Sequence, residues 1–497
     1  MSDTTTVQAG AIMTTLSLSL PRRLLAAAAL AALLTGCSFI PAYERPDAPV
    51  ASAWPENGLG IETAEATAPL AAWSQFITDA QLRELIGLAL ANNRDLRVAT
   101  LSIEQARAQY QLTGAGPLPV VNAGVTGSRQ STNDGDTISS AYTGGLLVSA
   151  WELDFFGRLA SLTEVARADL LSTAYAREAV QTSLIANVAT AWLNLQTANA
   201  LLDLTEQTLK TREDSQRLTQ LRFDSGVVSA LDLSQAQSLT ASARATLAEQ
   251  KRQLAQARNA LTLLVGQEIE PRLLTAGDVP LGVFEDVPAG LPSDLLLRRP
   301  DIQSAEWSLR SANANIGAAR AAFFPSISLT ASVGSASSHL SDLFRSGSFG
   351  WTLAPQALLP IFDGGRNRAN LRGAEVAREV AVAQYEKAIQ TAFSEVADGL
   401  AGRATLADQL TAQEELVKAE SQRYELSDLR YKSGVSSFLD MLDAQRSLFT
   451  AQQAVLQSRA ALLANRITMY RVLGGGWDAG AVELAESAAP AAAGATP

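Results

Sequence analysis

Apolar residues along this chain follow two periods, and each period selects a different element. Between Ser161 and Arg222 the positions Leu184, Val188, Ala191, Leu195, Ala198, Leu202, Thr205 and Leu209 alternate spacings of four and three, the 3.5-residue repeat that lays one seam along supercoiled helices. The pattern predicts a helix of roughly 90 Å, then another of roughly 50 Å from Ala230 to Val265, at 1.5 Å per residue. Neither length suits a globular core. Alanine at several seam positions lets neighbouring helices approach closely. A shorter helix is predicted from Leu82 to Gln111, ended by Gly114-Ala115-Gly116-Pro117.

The period changes to two in Pro119–Ser128 and Tyr142–Leu153, where Val, Thr, Ser and Gly alternate on either side of a polar loop, Arg129–Ser140. Pro325–Ser335 and Phe349–Ala357 repeat the pattern around Ala336–Ser348. Each run has about the 9 to 11 residues with which a tilted strand crosses a bilayer. Ordinary surface hairpins carry the same signature, and a solid coiled coil shares the helical seam.

The two halves of the chain are copies of one another. Leu221-Arg222-Phe223-Asp224-Ser225-Gly226-Val227-Val228-Ser229-Ala230-Leu231-Asp232 recurs as Leu429-Arg430-Tyr431-Lys432-Ser433-Gly434-Val435-Ser436-Ser437-Phe438-Leu439-Asp440, an offset of 208 (434 less 226). Asp95, Ala99, Ala106 and Pro119 match Asp301, Ala305, Ala312 and Pro325 at an offset of 206 (301 less 95). A period this long is a duplicated half-molecule rather than a solenoid repeat. The expected divisions are a signal segment 1–36, an extended segment 37–75, a first repeat 76–280, a second repeat 281–475 and an Ala/Pro-rich disordered tail 476–497. The fold class is mainly α with a small β part.

Composition then narrows the function. A net charge of -11 argues against a nucleic-acid partner, because phosphate recognition needs a basic surface. One Cys and one His exclude a disulfide framework and a Cys/His zinc site. Without a Gly-x-Ser-x-Gly elbow or a ligand cluster there is no nucleophile with a base, so no catalytic residue, metal or cofactor is expected. His339 reads as a solvent-exposed loop residue. With 18% charged residues and one apolar run near membrane length, any crossing by the mature chain must use strands.

That run, Leu24 to Leu34, follows Arg22 and Arg23 and leads into Leu34-Thr35-Gly36-Cys37, the layout of a secretory signal. The four residues resemble the bacterial lipoprotein processing site, which makes Cys37 an acylated anchor. Ser38 after it implies the outer membrane.

Four strands close no barrel, and open strand edges are not tolerated in lipid. The chain must therefore oligomerise, and three copies would supply a trimeric 12-stranded transmembrane β-barrel, four strands per chain, continued by a long α-helical barrel on the aqueous side, which the resemblance given below places in the periplasm. The rival is a lipid-anchored periplasmic coiled-coil tether without a pore.

Three motifs carry a resemblance. Ser293-Asp294-Leu295-Leu296-Leu297-Arg298-Arg299-Pro300-Asp301-Ile302, the run from Ala314-Asn315-Ile316-Gly317 to Phe324-Pro325, and Phe362-Asp363-Gly364-Gly365-Arg366 are similar to signatures of the outer-membrane efflux factors, the TolC-like family, in its NodT-type lipoprotein branch. The resemblance spans Cys37 to about Gly475. It implies a homotrimer that passively exports drugs or other toxic compounds from the periplasm, docked on a periplasmic adaptor and an inner-membrane pump.

Under that resemblance the two Ser-Gly-Val segments become turns at the periplasmic tip, and Gly226, Val227, Val228, Gly434, Val435 and Ser436 meet the adaptor. Gly226 and Gly434 suit the left-handed residue that ends a helix. Ser229 and Ser437 follow as N-caps, with Asp232 and Asp440 three residues on in a capping-box variant. The family further implies an aperture with Leu439 as an apolar ring, Asp440 and Asp443 as an acidic constriction, and Tyr431 as a latch. Asp232 reads as cap or as gate. Asp443 lies beyond capping reach, and threefold symmetry places three such carboxylates around one axis, attractive to cations. Ser436 departs from the family, which has an arginine in the latch there. Trp151 and Trp351 suit an interfacial girdle or ordinary packing.

Overall fold

The computed structural model describes residues 38–55, 71–132, 137–275, 277, 280–287 and 299–475. The signal segment, Cys37, the first part of the Leu-Arg motif (293–298) and the tail lie outside the described residues.

The first copy contains α1 (Trp73–Phe76), α2 (Ala80–Asn92), α3 (Arg94–Ala115), β1 (Val121–Thr132), β2 (Thr137–Leu153), α4 (Arg158–Asp224) and α5 (Ala230–Val265). The second contains α6 (Pro300–Ala321), β3 (Ser326–Ser337), β4 (Phe349–Leu358), α7 (Arg366–Lys432) and α8 (Phe438–Val472). Helix lengths repeat with the sequence: α3 and α6 have 22 residues each, and α4 and α7 have 67 each. The seam reads as expected, with Leu184, Val188, Ala191, Leu195, Ala198 and Thr205 all buried.

Two expectations are corrected. The helix from Leu82 to Gln111 is two helices, because Asn93 breaks it. Its amide oxygen accepts from Leu96 N at 3.0 Å as a cap, while its amide nitrogen donates to Leu264 O at 2.9 Å. The loop Arg129–Ser140 is largely strand, since the β1·β2 ladder continues to Thr132↔Thr137. Serine and threonine support a ladder without apolar alternation, which is why the pattern under-reads it.

The chain forms two compact units, and each draws on both sequence copies: Met1–Ala42, Thr113–Glu164 and Asn313–Glu375 make one, and Tyr43–Leu112, Val165–Ala312 and Val376–Pro497 the other. The first unit holds an antiparallel sheet in the order β1-β2-β3-β4. Its register sorts residues onto two faces. Val121, Val125, Leu146, Val148, Leu329, Val333, Trp351 and Leu353 share one face, and Asn122, Thr126, Thr143, Ser332, Thr352 and Gln356 share the other. A bulge between Val148 and Trp151 inserts one residue, so Trp151 pairs with Leu329 and stays on the apolar face. Ala150 takes up the shift at φ +49, and its N–H donates to Thr330 Oγ1 at 3.2 Å.

In the second unit Phe76 stacks between Tyr470 and Phe284, with centroids at 4.1 and 5.6 Å. Arg299, the described arginine of the Leu-Arg motif, is buried. It pairs with the Asp301 carboxylate through two nitrogens at 3.0 and 2.7 Å, with Glu395 at 2.8 Å, and donates to Val472 O at 3.0 Å. The motif thus ties the start of α6 to the middle of α7 and the end of α8.

Candidate functional site: a membrane face and a helical tip

The apolar face of the sheet is largely uncovered, apart from Gly144, over which Leu343 packs. Val121, Val125, Trp351 and Leu353 are all exposed, Trp351 at 73%. Trp151 is anchored instead, its indole donating to Pro117 O at 2.8 Å. No helix among the described residues is long and apolar enough to cross a membrane.

The residues following Cys37 are fixed on the same unit. Phe39 stacks on Phe324 at 4.6 Å, and Asn313 donates from its side chain to Pro41 O at 2.8 Å. Gly317 of the Ala-Asn-Ile-Gly motif leaves the space for this crossing, since a Cβ there would lie 2.6 Å from Ile40 Cγ1 and 2.9 Å from Ile40 N. In the third motif, Asp363 caps α7, accepting from Gly365 N and Asn367 N at 2.8 Å each. Asp154 does the same for α4, accepting from Arg158 N and Ala160 N at 2.7 Å each. Sequence reasoning overlooked Asp154, although an acid just before a long helical run was its visible signal.

The tip forms from two matching turns. Gly226 and Gly434 both sit at φ +73, and Val227 N and Val435 N donate back to Arg222 O and Arg430 O at 2.8 and 2.9 Å. These are the bonds of a helix stop closed by a left-handed residue. Both capping boxes form: Ser229 N and Ser437 N donate to the carboxylates of Asp232 and Asp440 at 3.1 Å. Those two acids therefore serve the helix starts. Val227, Val435 and Leu439 are exposed, while Val228 and Ser436 are half-buried.

Asp443 has partners that the sequence reading did not supply. Arg423 on α7 reaches it at 2.6 Å and Arg446 on α8 at 2.9 Å. These hydrogen bonds, Arg446's first, hold its carboxyl below the usual range. Within one chain it is a clamped ion rather than the solvated acid that its isolated position implied. Arg446 was legible three residues on. Arg423 was not, because twenty residues of chain and the turn intervene.

Tyr431 packs its ring on Phe438 at 5.2 Å, under the Arg222 guanidinium at 5.3 Å. Ala236 of α5 joins Phe438, Met441 and Leu442 of α8 in one apolar cluster, with Tyr431 against it. The structure so brings both tip hairpins together around Tyr431.

An open sheet with one apolar and one polar face, in a chain whose remainder is duplicated long hairpins, is the material of a membrane channel. A profile of the outer membrane efflux protein family matches residues 85–267 and 291–475, once per repeat. The chain belongs to that family, and it is an outer-membrane efflux channel. It is similar to the toluene efflux pump outer membrane protein TtgC of Pseudomonas putida, 47% identical across 92% of this chain and 96% of that protein. Among solved structures, a membrane protein from Pseudomonas aeruginosa matches with a TM-score of 0.83 and 43% identity over 89% of this chain and 98% of its own. The open state of the Neisseria gonorrhoeae MtrE outer membrane channel matches at 0.80 and 39%, covering 88% and 98%.

Proposed function

We propose that three copies of this chain close into one duct through which small toxic compounds leave the periplasm. The observation that carries the reading is the two-faced sheet whose edge strands, β1 and β4, are both open. Hydrocarbon offers nothing to unpaired backbone groups. Because neighbours in the sheet are antiparallel, β4 also runs opposite to β1, so β4 of one copy pairs with β1 of the next. Twelve strands then close with apolar residues toward lipid and polar residues toward a lumen. A coiled-coil tether leaves the same apolar face in water and gains no support from it.

The long helices of three copies continue the duct as a periplasmic α-helical barrel. Acyl chains on Cys37, next to the segment held by Asn313 and Phe324, anchor it to the same membrane. The exposed Val227 and Val435 at the turns receive a periplasmic adaptor, which links the duct to an inner-membrane pump. Asp443, clamped by Arg423 and Arg446, keeps α7 and α8 together in the closed aperture, with Asp440 and Leu439 at its rim and Tyr431 bracing it. Likeness to the toluene-pump component supports small apolar cargo. The duct contributes no chemistry to its cargo. It supplies a path.

The test is native mass spectrometry of the full chain in detergent, together with conductance in planar bilayers. A trimer mass and ion conductance are expected. A monomer overturns the duct, and a trimer that conducts nothing restores the tether.

A further inference from the structure

The duplication lets a contact inside one chain specify a contact between chains: we propose that Val98 on α3 of one copy packs against Val380 on α7 of the next. The inference rests on the trimer reading above.

Within the chain, α4 is flanked by two shorter helices. α3 meets it through Ile103 and Tyr110, which share an apolar cluster with Ala166, Leu170, Leu171 and Ala174. α6 meets it through serines: Ser172 Oγ lies 3.1 Å from Ser304 Oγ and 2.9 Å from Ser308 Oγ, and Ser304 Oγ donates to Ser172 O at 2.9 Å. Trp307 packs on the cluster beside this contact.

Both pairs of elements can be mapped through the repeat, because α3 and α6 are equal in length at an offset of 206 (300 less 94), and α4 and α7 at 208 (366 less 158). Ile103 and Tyr110 map to Leu309 and Ile316, which are likewise buried. Leu309 shares a core cluster with Ala381 and Tyr385 of α7, so α6 also meets α7, although Arg378 and Glu379 stand there where α4 has Leu170 and Leu171. For the second contact, Ser304 and Trp307 map back to Val98 and Leu101, and Ser172 maps forward to Val380. These three are exposed, at 63%, 57% and 50%. The order α3, α4, α6, α7 thus ends in α7 carrying a face whose equivalent on α4 is covered, and begins in α3 carrying the matching face. A second copy supplies the missing partner to both.

The residue types agree on the two sides. A serine pair bonded within the chain is replaced by valine on both helices. Two valines bury together, and Ser102, the equivalent of Ser308, donates its hydroxyl to Val98 O at 2.9 Å and needs no partner on α7. Coordinated change at two positions 282 residues apart (380 less 98) is what a shared contact requires.

The test is the full chain carrying Val98→Cys and Val380→Cys, oxidised in detergent and run on a non-reducing gel, beside each single variant. The hydroxyls of the equivalent pair within the chain lie 3.1 Å apart, so Ser172→Cys with Ser304→Cys serves as the intramolecular control. Covalent dimers and trimers about tenfold above either single variant, lost on reduction, are the expected result. A native trimer whose control pair closes but whose Val98/Val380 pair does not cross-link overturns this contact and leaves the trimer intact. A monomeric native mass removes both. As a second measurement, Val98→Asp should lower trimer recovery and Val380→Lys added to it should restore it; failure of the pair to restore also overturns the contact.

Discussion

Arg423 on α7 donates to the carboxylate of Asp443 on α8 at 2.6 Å, and this bond crosses the second tip hairpin. Exposed pairs of this kind are individually weak, because water and salt screen them. Three copies opening in concert multiply a small term, so Asp443→Asn or Arg423→Ala should shift the closed-to-open equilibrium toward open by roughly 3-fold to 150-fold. Single-channel recordings read this as longer open dwell times. Unchanged open probability in both variants removes the clamp from gating.

The pH dependence of that clamp has a definite sign. Asp443 is held below the usual carboxylate range by Arg446 and Arg423. A depressed folded pKa means that the contribution is fully present above the ordinary value of about 3.9 and is lost only as pH falls through the lower, folded one. Acidification to about pH 5 should therefore leave the clamp intact. Channel opening that begins near pH 6 and persists in Asp443→Asn belongs to another group.

Gly226 and Gly434 separate strain from crowding. Nothing lies within 4 Å of a Cβ built at either, yet both have φ +73. Valine at either position should thus cost about 1–2 kcal/mol from backbone strain alone, while asparagine, which tolerates this region, costs less. Thermal melts of the tip by hydrogen exchange should rank Gly, Asn, Val in that order. Equal protection for Asn and Val contradicts the strain account.

Arg299 is a buried cation with two carboxylate partners and a helix-end carbonyl. Its removal leaves Glu395 with one arginine fewer and the Val472 carbonyl unpaired. Arg299→Met should destabilise the fold by about 3–5 kcal/mol, as the loss of one member of a buried pair does. Denaturant titration against the parent chain measures it, and a change under about 1 kcal/mol contradicts the reading that Arg299 ties α6 to α7 and α8.

Cys37→Ala should abolish incorporation of labelled fatty acid, while the protein still reaches the outer membrane through its strands. Labelling that survives the substitution refutes the anchor. Loss of membrane association altogether shows that the acyl chains, and not the sheet, hold the protein there.

The sequence by itself determined the duplication, the long helices and both capped turns. Each of those is written in local spacing. A left-handed glycine and a Ser-x-x-Asp box bond within one turn of chain, so Gly226 with Ser229 and Gly434 with Ser437 declare themselves whatever surrounds them. The strands were legible as pairs but not in length, because polar ladders lack the alternation that marks them. Three features were decided only by the tertiary structure. Asn93 breaks a helix because its amide reaches Leu264 across 171 residues. Ala150 accepts a positive φ because the register with β3 demands one extra residue. Asp443 is a clamped ion because folding brings Arg423 back beside it. Bonds that close across distant stretches leave no periodic trace in the chain, and the charge state of an acid depends on what folding sets next to it.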